Sequence, residues 1–275
     1  MITQDQVMES AGFIACHYQQ NIKTALVIGT GLGGLSKDVT HQTIIPYKAV
    51  PNFPATSVPF HAARLIIGEL YGVAVLVMDG RYHFYEGLPM SIITLPVRVL
   101  HQLGIRSLIV TNAASSLKPE LTPGSLAVIK DHINLMGENP LRGTGADLCP
   151  ERFVDMSEPY RRQWLDKAQT IGKKLNLRLH TSIYAAISGP SLLTPAEVNM
   201  LCYLGADTVG MSTVPEVIVA RQLGMNIFAI SAITDSSLPE AGSPANKKQV
   251  AATAQRCRTE MSILLAHLIS DITES

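Results

Sequence analysis

Residues 24–34 read TALVIGTGLGG. From Thr24 to Ile28 the run is apolar or β-forming with no charged break, and it closes on Gly29. A strand with one wet face alternates apolar and polar residues, whereas a strand covered on both faces reads as a continuous apolar run, the mark of a parallel sheet flanked by helices. Similar runs recur at RLIIGEL (64–70), GVAVLVMDG (72–80), SLIVTNA (107–113), SLAVIKDH (125–132), TSIYAAISG (181–189), ADTVGM (206–211) and NIFAISAIT (226–234). Helical patterns lie at about 4–20, 91–104, 158–176, 195–205, 214–224 and about 246–272, and Gly104, Gly205 and Gly224 stand where a helix closes in a left-handed residue. Strand and helix alternate, so the expected fold is α/β, a single domain over 1–275 with a mixed, mostly parallel central sheet flanked by helices.

Two helix starts carry capping-box spacing, Thr194 with Glu197 and Thr213 with Glu216, each around a proline. Strand-to-helix turns of this kind, at the C-terminal edge of a parallel sheet, are where α/β proteins bind ligands. The Gly- and Pro-rich stretches 137–156 and 236–246 are long enough to act as flaps over such a site.

Composition narrows the ligand. Acidic and basic residues number 22 each, which removes the simplest electrostatic case for nucleic acid or an anionic membrane. No apolar run approaches the roughly 20 residues of a membrane span, and the N-terminus shows no secretory pattern, so a cytoplasmic protein is expected. Cys16, Cys149, Cys202 and Cys257 are scattered, and no histidine lies in a metal-binding arrangement, so neither a disulfide framework nor a metal is expected.

The turn after the first strand fits GxGxxG at Gly29, Gly31 and Gly34. A dinucleotide site would also need an acid about 20 residues on, to hold a ribose, and IIPYKAVPNFPA (44–55) has none. Backbone amides of a Gly-rich turn beside the Thr30 hydroxyl can instead cradle a phosphate-sized anion. A second stretch, MDGRYHFYEG (78–87), sets Arg81, His83 and Tyr85 at alternate positions, which share one face if the chain is extended. Arg81 offers a planar fork to phosphate oxygens and His83 a second donor. Ser212, just before a helix, adds a hydroxyl at a positive helix end.

Taken together, VIGTGLGGL (27–35), FHAARL (60–65), DGRYHFYEG (79–87), TNAASSL (111–117), DHINLMGENPLRG (131–143), GADTVGMSTVPEVIVARQLGM (205–225) and ISAIT (230–234) resemble the trimeric class of purine nucleoside phosphorylases along almost the whole chain. The resemblance implies a homotrimer and metal-free, cofactor-free phosphorolysis of a purine (deoxy)ribonucleoside to free base and pentose 1-phosphate in purine salvage, with inorganic phosphate as co-substrate. It places phosphate on Thr30, His61, Arg81, His83, Ala113 and Ser212, where the family more often has Ser at position 30. It places the nucleoside on Tyr85, Ala114, Ser115, Leu192, Leu193, Val209, Met211, Asp235 and Lys247, with Phe153 reaching into a neighbouring subunit's site. His83, Arg81 and Asp235 are the catalytic candidates.

The base side departs from the inosine and guanosine enzymes of that class. Leu192 and Leu193 stand where they carry an aromatic residue and a Glu, Asp235 where they have Asn, Ser115 where they have Gly, and Lys247 near their histidine for the 5′-hydroxyl. Leucine cannot accept the N1–H of a 6-oxopurine, whereas Asp235 can accept from a 6-amino group and, protonated, donate to N7. The related methylthioadenosine phosphorylases share the missing Glu and the Asp. The expected base is a 6-aminopurine, and the alternative is a weakened family member that binds phosphate or a nucleoside without efficient turnover.

Overall fold

In the computed structural model, which describes residues 2–55, 62–145, 148, 151–238 and 247–274, β1 (Thr24–Ile28) is buried along its whole length. It runs parallel to β4 (Val73–Asp79) on one side and to β5 (Ser107–Ser116) on the other. With neighbours on both edges and every residue buried, this strand has no wet side, which is why its sequence does not alternate. Beyond β4 the sheet continues antiparallel through β3 (Arg64–Leu70) to β2 (Val39–Pro46).

On the other side, β9 (Asn226–Ser236) is parallel to β5, and β6 (Leu126–Leu135) is antiparallel to β9 and parallel to β7 (Leu179–Ile187). β8 (Thr208–Gly210) runs parallel to β7 and meets the end of β5 antiparallel. Strands β5, β9, β6, β7 and β8 therefore close into a ring. Of the nine strand pairings among the described residues, five are parallel, so the sheet is mixed as expected.

Each apolar run named above is a strand. β2 was not expected: only Val39 and Ile45 are buried in it, so an edge strand with most residues in water leaves no apolar run to detect.

The helices are α1 (Gln4–Ala15), α2 (Met90–Gln102), α3 (Arg162–Lys174), α4 (Pro195–Tyr203), α5 (Val214–Gln222) and α6 (Lys247–Glu274). The first stops short of the expected residue 20. Gly104, Gly205 and Gly224 have φ of 88°, 86° and 70°, and the amides that follow them bond back to Leu100, Leu201 and Ala220, the double closure that a left-handed C′ residue allows. Helix α6 lays Ala254, Cys257, Met261, Leu264, Leu268 and Ile272 into the core at helical spacing and packs along β9. Among the described residues no helix is long and apolar enough to cross a membrane.

Candidate active site

The C-terminal ends of β1, β4, β5 and β9 and the loop after β8 surround a cavity of about 220 Å³. Thr30 enters from the turn after β1, and Arg81, His83 and Tyr85 from the segment after β4. Ala113, Ala114 and Ser115 come from β5, Val209, Met211 and Ser212 from β8 and its following loop, and Asp235 from β9. A second cavity of about 350 Å³ shares Ser115, Leu192, Val209, Met211 and Asp235 with it and adds Leu193 and Val198. The two form one cleft, which collects thirteen of the sequence-predicted residues.

The glycine-rich turn serves packing first. A Cβ on Gly29 would sit 2.7 Å from both Thr111 O and the Asn112 Cα, so only glycine lets the chain leave β1 this close to β5. The Gly29 N–H donates to Thr111 Oγ1 at 3.1 Å. That amide is therefore engaged within the fold, and Gly29 and Thr30 of the turn line the cavity.

The stretch 78–87 is extended only at its start. β4 ends at Asp79, and Phe84–Glu86 form a single 3₁₀ turn. Alternation still separates the first side chains: Arg81 and His83 face the cavity, while Tyr82 packs with Tyr47 and Phe53 on the other side. Tyr85 returns to the cavity through the turn and stacks on the His83 ring with centroids 4.7 Å apart. Burial pushes its phenol up to about 12, so it stays a neutral hydroxyl.

Burial also lowers the His83 pKa, outweighing Glu86, so the ring is neutral at neutral pH. Its Nδ1 lies 3.4 Å from Glu86 Oε1, which also accepts the His83 backbone N–H at 2.7 Å. A carboxylate only accepts, which draws the ring proton to Nδ1 and makes Nε2 an acceptor. His83 reaches the cavity beside Arg81 as expected.

Arg81 is 1% exposed, and its guanidinium is held by the protein on several sides. Nη1 donates to Glu216 Oε2 at 2.9 Å and to Thr213 Oγ1 at 3.2 Å, and Nη2 donates to the carbonyl oxygens of Thr111 and Val27. Asn112 Nδ2 donates to the same Thr213 hydroxyl at 2.8 Å. The Thr194–Glu197 capping box forms as expected, but the Thr213–Glu216 box does not. Thr213 has φ 70° and ψ −56°, with Val214 N bonded to Ser212 O at 2.7 Å, a tight γ-turn that a β-branched residue adopts only under strain. Its hydroxyl turns to Arg81 instead of capping α5, while Glu216 accepts the Thr213 backbone N–H and also pairs with Arg81. The turn carries Ser212 to the cleft, where its hydroxyl lies 3.3 Å from that of Thr213. Burial raises the Glu216 carboxyl above its usual range despite Arg81.

On the base side, strands β5 and β9 slip register between Ala114 and Ser115, so that Ser115 pairs with Asp235. This bulge turns both side chains to the cleft. Ser115 Oγ donates to Asp235 Oδ2 at 2.8 Å, and Thr234 Oγ1 donates to Asp235 Oδ1 at 2.7 Å. Leu192 is 61% exposed at the rim, while Leu193 packs against the apolar cluster of Leu117, Val198 and Val209. Met211 is pressed on the turn before α4, where a Cβ on Gly189 would meet its sulfur at 2.3 Å.

Phe153 does not join this cleft. It is 87% exposed and lines a separate cavity with His132, Asn139 and Arg142. His61 and the side chain of Lys247 lie outside the described residues. Glu86, Asn112, Thr213, Thr234 and Glu216 were missed. All five stand inside motifs already noted, but nothing in spacing says that a helix-start Glu turns onto an arginine.

A mixed α/β sheet that gathers an arginine, a histidine and hydroxyls at its strand ends, beside an apolar slot with one carboxylate, defines an enzyme of the nucleoside phosphorylase kind. The chain belongs to the phosphorylase superfamily, whose family model matches residues 23–270. It is 39% identical to purine nucleoside phosphorylase 1 of Bacillus subtilis (strain 168), over 97% of this chain and 98% of that protein. Isoform 2 of purine nucleoside phosphorylase from Schistosoma mansoni, solved with cytosine and ribose-1-phosphate, superposes with a TM-score of 0.92 at 34% identity, covering 98% of this chain and 96% of that one. A Schistosoma mansoni purine nucleoside phosphorylase solved with adenosine gives 0.91 at 35% identity, with 97% of each chain covered.

Proposed function

We propose that this protein cleaves the N-glycosidic bond of a purine (deoxy)ribonucleoside with inorganic phosphate, giving the free base and pentose 1-phosphate, and that its preferred base is a 6-aminopurine. One observation carries the reading: a single cleft joins an anion-binding end, built on Thr30, Arg81, His83 and Ser212, to a sugar wall of Tyr85 and Met211 and a base slot that ends on Asp235. Charge and geometry suit the reaction. Phosphate held at the arginine end lies beneath C1′, stabilises the positive charge that grows on the sugar, and attacks it. The bond from C1′ to a phosphate oxygen forms as the bond to N9 breaks, the electron pair leaves with the purine, and the purine gains the proton that the phosphate gives up. His83 Nε2 orients a protonated phosphate oxygen, and Tyr85, stacked on His83, borders the sugar.

The base preference rests on Leu193, which offers no acceptor to an N1–H, and Asp235, which accepts from an amino group. The adenosine complex of the Schistosoma mansoni relative supports a fold able to hold such a nucleoside. Phe153, exposed and remote from the cleft of its own chain, completes a neighbour's site in a homotrimer acting in the cytoplasm. The test is a panel of nucleosides assayed with and without phosphate, together with Arg81→Ala and His83→Ala. Cleavage should require phosphate and be lost in both variants. Equal cleavage in phosphate-free buffer would overturn phosphorolysis, and tight nucleoside binding with no turnover would assign a binding protein instead.

A further inference from the structure

We propose that Ser115 determines base specificity together with Asp235: by donating its only hydroxyl proton to the carboxylate, it leaves the pair with acceptors alone, which selects a base carrying an amino group over one carrying a carbonyl. The inference rests on the reading of this cleft as a nucleoside site. Sequence spacing treats Ser115 and Asp235 as two separate departures, 120 residues apart. In the fold they are one unit, because the register slip between β5 and β9 sets them opposite each other.

The hydrogen-bond inventory is short. A serine hydroxyl has one proton and two lone pairs, and a carboxylate has lone pairs only. The Ser115 proton goes to Asp235 Oδ2 at 2.8 Å, and the other oxygen accepts from Thr234, whose side chain is buried. What Ser115 and Asp235 have left to offer a ligand is lone pairs. Among the described residues, Leu193 and Val198 on the facing wall are apolar and Pro195 has no N–H. Ser236 and Ser237 also line the slot, and the Ser236 hydroxyl accepts from the Leu238 N–H. An exocyclic amino group brings two N–H donors to this edge, while a carbonyl oxygen would set lone pairs against lone pairs. Glycine at position 115 would remove one acceptor and leave Asp235 Oδ2 without its hydroxyl. An amide at position 235 would bring a donor of its own, so the hydroxyl at 115 would no longer decide the character of the edge.

The experiment is a double-mutant cycle with Ser115→Ala, Asp235→Asn and the pair, with Ser115→Gly as a second truncation and thermal melting as a check on folding. Binding of adenine and of hypoxanthine, in saturating phosphate, is measured by calorimetry, and kcat/KM for adenosine and inosine is measured in parallel. With Asp235 intact, loss of the hydroxyl should lower the adenine-to-hypoxanthine affinity ratio by about tenfold, as for a hydrogen bond to a charged group. In the Asp235→Asn background the same loss should change the ratio less than twofold. An equal change in both backgrounds, no change with Asp235 intact, or hypoxanthine preferred by the unaltered protein would each overturn the proposal. Failure of the underlying activity looks different: no nucleoside is cleaved, yet the calorimetric ratios still give the answer for Ser115.

Discussion

Glu216→Gln tests whether the charge of the buried carboxylate is what holds the anion site together. Arg81 is 1% exposed and its Nη1 lies 2.9 Å from Glu216 Oε2, so the substitution removes the charge that balances a buried guanidinium. Breaking a buried pair from one side costs about 3–5 kcal/mol. Glutamine keeps the shape and one amide oxygen, and Thr213 Oγ1 remains at 3.2 Å, which puts the loss at the lower end, about 3 kcal/mol. For a chain of this size that lowers the thermal midpoint by about 6–12 °C. Phosphate should return part of it, because a dianion beside an uncompensated Arg81 binds more tightly than beside a neutralised pair. A tenfold gain in affinity adds about 1.4 kcal/mol at saturation, or about 3–6 °C. The assay is thermal unfolding of both proteins at one protein concentration and pH 8, chosen because burial raises the Glu216 carboxyl, with and without excess phosphate. An unchanged midpoint would refute the structural role of the pair. Equal phosphate shifts in the two proteins would refute the contact between Arg81 and phosphate.

Three further outcomes are expected. Leu193→Glu with Asp235→Asn should move the preference in kcat/KM from adenosine toward inosine, by at least about tenfold in the ratio, since a hydrogen bond to a charged acceptor is gained and lone-pair repulsion is lost; retained adenosine preference in the double variant counts against the base assignment. Light scattering should find a trimer, and Phe153→Ala should raise KM for the nucleoside without loosening the assembly; a fully active monomer rules this out. Burial lowers the pKa of His132, so between its ordinary value of about 6.5 and its folded value the unfolded chain binds more protons and stability falls as pH falls. Urea unfolding at pH 7.5 and 5.5 should therefore show a smaller loss for His132→Gln than for the unaltered protein, a comparison in which the opposite contribution of Glu216 cancels; equal losses would refute the assignment.

Much of the fold was legible because fully covered strands and capped helices leave local marks. The run at Thr24–Ile28, the closing glycines at 104, 205 and 224, and the Thr194 cap depend on neighbours a few residues away, and each is found where its spacing placed it. β2 left no mark because its residues face water at a sheet edge. Within the cleft, Arg81, His83 and Tyr85 were legible as a group, although a 3₁₀ turn and not continued strand geometry brings the third to the others.

By itself the sequence determined which chemical groups the protein can bring to a site: one arginine fork, one imidazole, a set of hydroxyls, and a leucine and an aspartate on the base side. Only the tertiary structure decided what state those groups are in. Glu216 has the spacing of a cap, and the fold sets the same carboxylate on Arg81. Ser115 and Asp235 are unrelated in sequence until a register slip between two strands joins them through a proton. Local spacing fixes which backbone shape is cheapest, while the direction of a side chain and the place of its proton depend on burial and on partners more than 100 residues away, which no window of sequence contains.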